Sequence, residues 1–220
     1  MYMNQWAQFT QEGEPYPATE FRPAQLYVYE GEPGGGGGEV PEGLIMVWGG
    51  PSTPKWSQPP VPYSSPRLFN GWDQISMYGQ KLAADDWVCH DAGPVTDLRW
   101  WGSFIGWHEP YPPPLPDAFA ITIWTDVPAG VGGADFSHAG TCIHYLLCTD
   151  YQWAFAGWDI DPRGGPAVAP ETTFEFACFL DRSQWFWQEP GEHIYWVSIA
   201  AVYNIGVPPY PFGWKTRPRR

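Results

Sequence analysis

The chain has 220 residues, of which 51 are Gly or Pro and 39 are Trp, Tyr or Phe. That pairing excludes a helix bundle, a coiled coil or a collagen, and the aromatic content excludes a disordered chain. With 24 acidic against 11 basic residues, the net charge of -13 disfavours a phosphate backbone or an anionic lipid surface as partner, and no apolar run reaches the ~18 residues of a membrane span.

Residues 1–54 stand apart. They hold seven Glu, no Asp, Cys or His, and one base, Arg22. Two strand-like stretches, Gln25–Glu30 and Leu44–Trp48, flank the five-glycine run Gly34–Gly38, so the segment reads as a hairpin extension with a flexible tip. The glycines do not suit a phosphate cradle, since no Lys-Ser/Thr follows and glutamates flank them.

From residue 55 to 216 the chain reads as one all-β domain. Strands are expected at Ala84–Cys89, Val95–Ile105, Phe119–Thr125, Thr141–Leu147, Gln152–Trp158, Thr172–Leu180, His193–Tyr203 and Pro211–Lys215, separated by Gly/Pro/Asp turns. This spacing fits an antiparallel β-sandwich of jelly-roll type. Alternation assigns faces: Phe119, Ile121 and Ile123 to one, Ala120, Thr122 and Trp124 to the other. Leu98, Trp100 and Phe104 likewise oppose Asp97, Arg99, Trp101 and Ser103. Ile194–Val202 is apolar on both faces, as a central covered strand would be. One short helix is expected near 182–188, with Asp181 as N-cap, Gln184 closing a capping box and Pro190-Gly191 stopping it. Residues 217–220 form a basic tail; Lys215, Arg217, Arg219 and Arg220 crowd the last six positions.

The four cysteines lack a CxxC, which disfavours a zinc ribbon. The expected pairing is Cys142–Cys148, closing a short loop, with Cys89–Cys178 joining two strands; such bridges would place the chain in an oxidising compartment.

No G-x-S-x-G elbow and no HExxH motif occur. Acids beside aromatics, namely Asp85-Asp86, Glu109, Glu189 and Glu192, are the candidates for a glycan hydrolase, although neighbours on one strand point to opposite faces. Asp159 and Asp161, in a turn-rich stretch, are the candidate ligands for a structural calcium; no other cofactor is implied. The strongest site candidate is an aromatic platform. Trp107, Glu109 and Tyr111 precede the stiff Pro112–Pro114 run, and Trp101 shares a strand face with Arg99 and Asp97. Sugars stack on such rings while polar neighbours bond their hydroxyls.

Several segments in order resemble a domain of unknown function found in secreted and cell-surface proteins of environmental bacteria. They are KWSQPP (Lys55–Pro60), LAADDWVC (Leu82–Cys89), GPVTDLRWWGSF (Gly93–Phe104), ITIWTDVPAG (Ile121–Gly130), FLDRSQWFWQEPGEHIYWVSIAA (Phe179–Ala201) and FGWKT (Phe212–Thr216). The resemblance implies a secreted antiparallel β domain, commonly one module of a longer chain, and no activity. The expected function is therefore a non-catalytic β-sandwich module at the cell surface or in a matrix, binding polysaccharide or a protein neighbour through exposed aromatics. A self-associating structural subunit is the first alternative and a glycan hydrolase the second.

Overall fold

The computed structural model describes residues 54–90, 93–161 and 169–218, together with the backbone of 8–10, 21–23 and 26–29. The strands, in chain order, are β1 (Gln8–Thr10), β2 (Phe21–Pro23), β3 (Leu26–Tyr29), β4 (Pro54–Ser57), β5 (Val61–Ser65), β6 (Leu68–Asn70), β7 (Asp73–Ile75), β8 (Lys81–Cys89), β9 (Pro94–Val95), β10 (Asp97–Phe104), β11 (Ala118–Val127), β12 (His138–Cys148), β13 (Tyr151–Ile160), β14 (Glu171–Phe179), β15 (Phe186–Trp187), β16 (His193–Val202) and β17 (Phe212–Pro218). One sheet runs β1-β8-β16-β11-β12. The other runs β2-β17-β10-β14-β13-β6-β5, with β3, β4 and β7 alongside.

Alternating hydrophobicity turns these sheets into a sandwich. Phe119, Ile121 and Ile123 of β11 and Tyr195, Val197 and Ile199 of β16 meet Leu98, Trp100 and Phe104 of β10 and Phe174 and Phe176 of β14 in one core. At its centre Trp100 stacks on Phe176 at 5.8 Å and meets Phe119 edge-on at 4.9 Å. Each such buried ring contributes roughly 1.5–3 kcal/mol by leaving water. β16 is central in its sheet and buried on both sides. Its other face carries Trp196 and Ala200, which pack with Leu82, Ala84 and Ala139.

The second sheet curls. β6 pairs in parallel with β13, whereas β7, only Gly71 and Trp72 later, pairs with β17. The strands β17, β10, β14 and β13 are thereby closed into a ring by the β6–β7 segment. The ring brings together residues of β13 and β17 that face away from the sandwich core, although two strands separate them within the sheet.

Two expectations change. Cys148 is bonded to Cys178, with Cα atoms 6.4 Å apart, and neither expected pairing forms. Cys142 and Cys148 lie on the same extended strand, where six residues span ~20 Å, far beyond a disulfide's reach. Cys148 instead ends β12 at the two-residue corner that carries the chain into the other sheet, where Cys178 of β14 lies within reach. Cys89 is a buried thiol and Cys142 an exposed one. The helix near 182–188 is a single 3-10 turn, Arg182–Gln184; Gln184 Oε1 accepts from the Asp181 N–H at 3.0 Å, as a capping box requires. It ends there because Phe186 and Trp187 pair with Val95 and Pro94. β3 pairs with β10 and β4; its expected hairpin partner Leu44–Trp48 lies outside the described residues.

Candidate functional site

The residues of the expected platform are dispersed. Trp101 is only 7 % exposed, on the β10 face that Asp97 and Arg99 share. Arg99 Nη1 lies 3.8 Å from Glu175 Oε1, and Asp97 is buried, accepting from the Thr96 hydroxyl at 2.9 Å. Burial pushes the Asp97 carboxyl up to about 6. Trp107 is half-buried; its Nε1 donates to the Tyr111 carbonyl at 2.6 Å, and its ring meets Tyr210 edge-on at 5.0 Å. Of this set Tyr111, 58 % exposed, presents its ring to solvent, beside the exposed Glu109. Trp107 thus anchors the base of the Pro-rich loop. His108 of the same loop lines a cavity of about 490 Å³ with Arg67, Leu68, Trp158 and Pro170.

A different aromatic is presented. Trp187 is 60 % exposed, at the mouth of a groove of about 550 Å³ at one end of the first sheet. β15 leaves the 3-10 turn in extended form, so Phe186 is buried and Trp187 faces out. The groove is completed by Thr125 and Asp126 from the end of β11, Ile143 from β12, and Glu189, Glu192 and His193 from the loop entering β16. That loop is pinned: the Glu189 N–H donates to the Tyr195 hydroxyl at 3.1 Å, and His193 Nε2 lies 3.1 Å from the Pro190 carbonyl. Asp126 is held from below, its Oδ1 accepting from Trp196 Nε1 at 2.8 Å and from the Ser137 hydroxyl at 2.5 Å. Glu192 stays at the rim, 3.9 Å from His90. A ring face beside several carboxylates and a hydroxyl can stack on one face of a sugar and bond its hydroxyls. Sequence reasoning singled out Glu189 and Glu192 but missed Trp187 as the ring they flank. A helix over 182–188 would spread Trp185, Phe186 and Trp187 around its axis, whereas the extended β15 buries Phe186 and turns Trp187 outward.

Asp85 and Asp86 are both buried in β8, with regular pairing to β16, so they point to opposite faces; Asp85 Oδ2 accepts from Gln58 Nε2 at 3.2 Å. Asp159 falls into a different constellation. One carboxylate oxygen each of Asp73, Asp159 and Glu171 lie within 4.8 Å of one another. The Lys215 ammonium contacts Asp159 Oδ2 and lies 3.6 Å from Asp73 Oδ2, so a lysine supplies the positive charge such a group of oxygens attracts. Asp161 stands close enough to Glu171 to help raise that carboxyl, after burial and the Asp73 charge.

Among the described residues no helix is long and apolar enough to cross a membrane. No curated protein and no solved structure matches the chain. The sequence model of one family does match, over residues 54–220, from β4 through the strand that carries Lys215. The chain belongs to that family, Domain of unknown function (DUF7901).

Proposed function

We propose that this domain is a non-catalytic β-sandwich module of the cell surface or extracellular matrix that binds polysaccharide through the Trp187 groove. The observation that carries this reading is the exposure of Trp187 beside Glu189 and Glu192 in an open groove. A large ring left in water beside a pinned loop is placed to stack on a ligand at a reduced ordering cost. The acidic surface suits neutral glycans, and the Cys148–Cys178 bridge suits an oxidising compartment. Pull-down on a panel of insoluble neutral polysaccharides tests it. Retention by the wild-type chain and its loss in Trp187→Ala, with the fold unchanged by circular dichroism, are expected. Absence of retention on every polysaccharide, or equal retention by the variant, overturns it.

A second reading, a self-associating structural subunit, is favoured by β12. This eleven-residue strand pairs with β11 and, among the described residues, with no strand on its other side. It exposes Ile143, Tyr145 and Leu147 on one face. A long apolar edge is a template for strand addition.

A further inference from the structure

In sequence Lys215 belongs to the basic C-terminal cluster, but in the fold it is separated from it. Its side chain is 0 % exposed, whereas Lys81 is exposed and Lys55 half-buried. β17 alternates, sending Phe212 and Trp214 into the core and Lys215 to the other face of the sheet. There the curl of the sheet lays it against two carboxylates from remote strands. Asp159 of β13 is in contact with Nζ, and Asp73, its register partner on β7, is 3.6 Å away. Both acids are almost fully buried. Asp73 Oδ2 also accepts from the Ser103 hydroxyl at 2.7 Å, while Asp73 Oδ1 is buried with no hydrogen-bond partner among the described residues. Phe69 is the register partner of Asp159, and the Trp72 backbone bonds Thr216 next to the lysine. A buried ion pair in such surroundings is costly to desolvate and gives weak evidence of stabilisation as a pair.

We propose that Lys215 and Asp159 join in an intramolecular isopeptide bond, formed by the folded chain itself with Asp73 as the proton-relaying acid. The Lys215 ammonium first passes a proton to the Asp159 carboxylate it contacts, and the neutral amine so formed attacks the carboxyl carbon of that acid, forming the C–N bond. Asp73 gives its proton to the departing hydroxyl and takes one from the attacking nitrogen. The C–O bond breaks, one water leaves, and Asp73 ends in the protonation state in which it began. No oxidant, metal or co-reactant is required. The fold supplies what this condensation needs. It holds nucleophile and carboxyl in contact, which replaces an encounter between two molecules. It also excludes water, and the same burial lowers the Lys215 amine to about 8 and raises the Asp73 carboxyl, towards the neutral amine and protonated acid. Glu171, whose carboxylate also lies within 4.8 Å of Asp73 and Asp159, has its Oε1 engaged by the Gly106 N–H at 2.8 Å. The bond would staple β13 to β17 and lock the ring that the β6–β7 segment closes.

Intact mass of the full chain, with the disulfide reduced and the protein denatured, decides the matter. The wild type is expected to be lighter than its sequence by one water, with fragmentation placing the link between the Lys215 and Asp159 peptides. Lys215→Met and Asp159→Ala should recover the full sequence mass, and Asp73→Asn should recover it while keeping native strand content. An Asp159→Asn chain should lose ammonia in place of water, a readout that also shows the variant has folded around the site. A wild-type chain of full sequence mass, or a water loss mapped to other residues, overturns the proposal. So does loss of the link in no variant but Lys215→Met.

Discussion

Cys148, the last residue of β12, is bonded to Cys178 of β14, so the disulfide joins the two sheets at the corner where the chain passes from one to the other. The sequence separation of 30 residues sets the loop it closes. On chain-entropy grounds, replacing Cys148 and Cys178 together by Ser should lower stability by about 3–4 kcal/mol. Urea unfolding of the non-reduced wild type against the double variant measures it. Cys142→Ser, at an exposed thiol, should stay within about 0.5 kcal/mol of wild type.

Asp97 makes stability depend on pH. Burial, only partly opposed by the Thr96 hydroxyl and the Arg99 charge, raises its carboxyl from 3.8 to about 6. A folded-state pKa above the unfolded one means that the protonated form favours folding. That contribution is complete below about 4 and is lost as the pH rises through about 6. The displacement corresponds to at most ~3 kcal/mol. Asp97→Asn should therefore flatten the fall in stability between pH 4 and 6 and raise the melting temperature at pH 7. A parallel pair of wild-type and variant stability–pH curves would contradict this.

Gly157 makes the bulge that lets β6 lie against β13. Its φ is +154°, and a Cβ there would stand 2.3 Å from the Arg67 carbonyl oxygen, which accepts from the Trp158 N–H at 2.8 Å. The clash is with backbone, so neither partner can yield without parting the strands. Gly157→Ala should cost roughly 1–3 kcal/mol in denaturant unfolding. It should also displace Asp159 from Lys215, which the intact-mass readout would register as incomplete water loss.

The β12 edge makes the subunit reading testable. Sedimentation over a range of concentrations should show the wild type associating and the Ile143→Lys, Tyr145→Lys double variant remaining monomeric. Both side chains are exposed, so the melting temperature should change little. A wild type that stays monomeric at high concentration removes this reading and leaves the groove reading untouched.

How far the sequence could be read depended on where each segment packs. Alternation in Phe119–Ile123 and in Leu98–Phe104 announced the core faces, because each strand has one face against the opposite sheet. The two-sided apolar run of β16 announced the centre of a sheet. The stretch from Pro54 to Asn70 was harder, because its short strands hold prolines and lie at or near sheet edges, where alternation is weak. Trp101 lies on a strand face that is polar in sequence, yet that face is covered. Trp187 was hidden by a local capping signal whose turn ends sooner than the residues alone suggest.

The sequence by itself determined an all-β fold, most of its longer strands with their inward faces, and acids at Glu189 and Glu192 beside aromatic rings. These follow from local periodicity, which every residue reports about its own neighbours. Tertiary structure alone decided the Cys148–Cys178 bridge, the Trp187 groove and the meeting of Lys215 with Asp159 and Asp73. Each of these joins strands that are distant along the chain, and no local pattern encodes which edges a curling sheet will bring together.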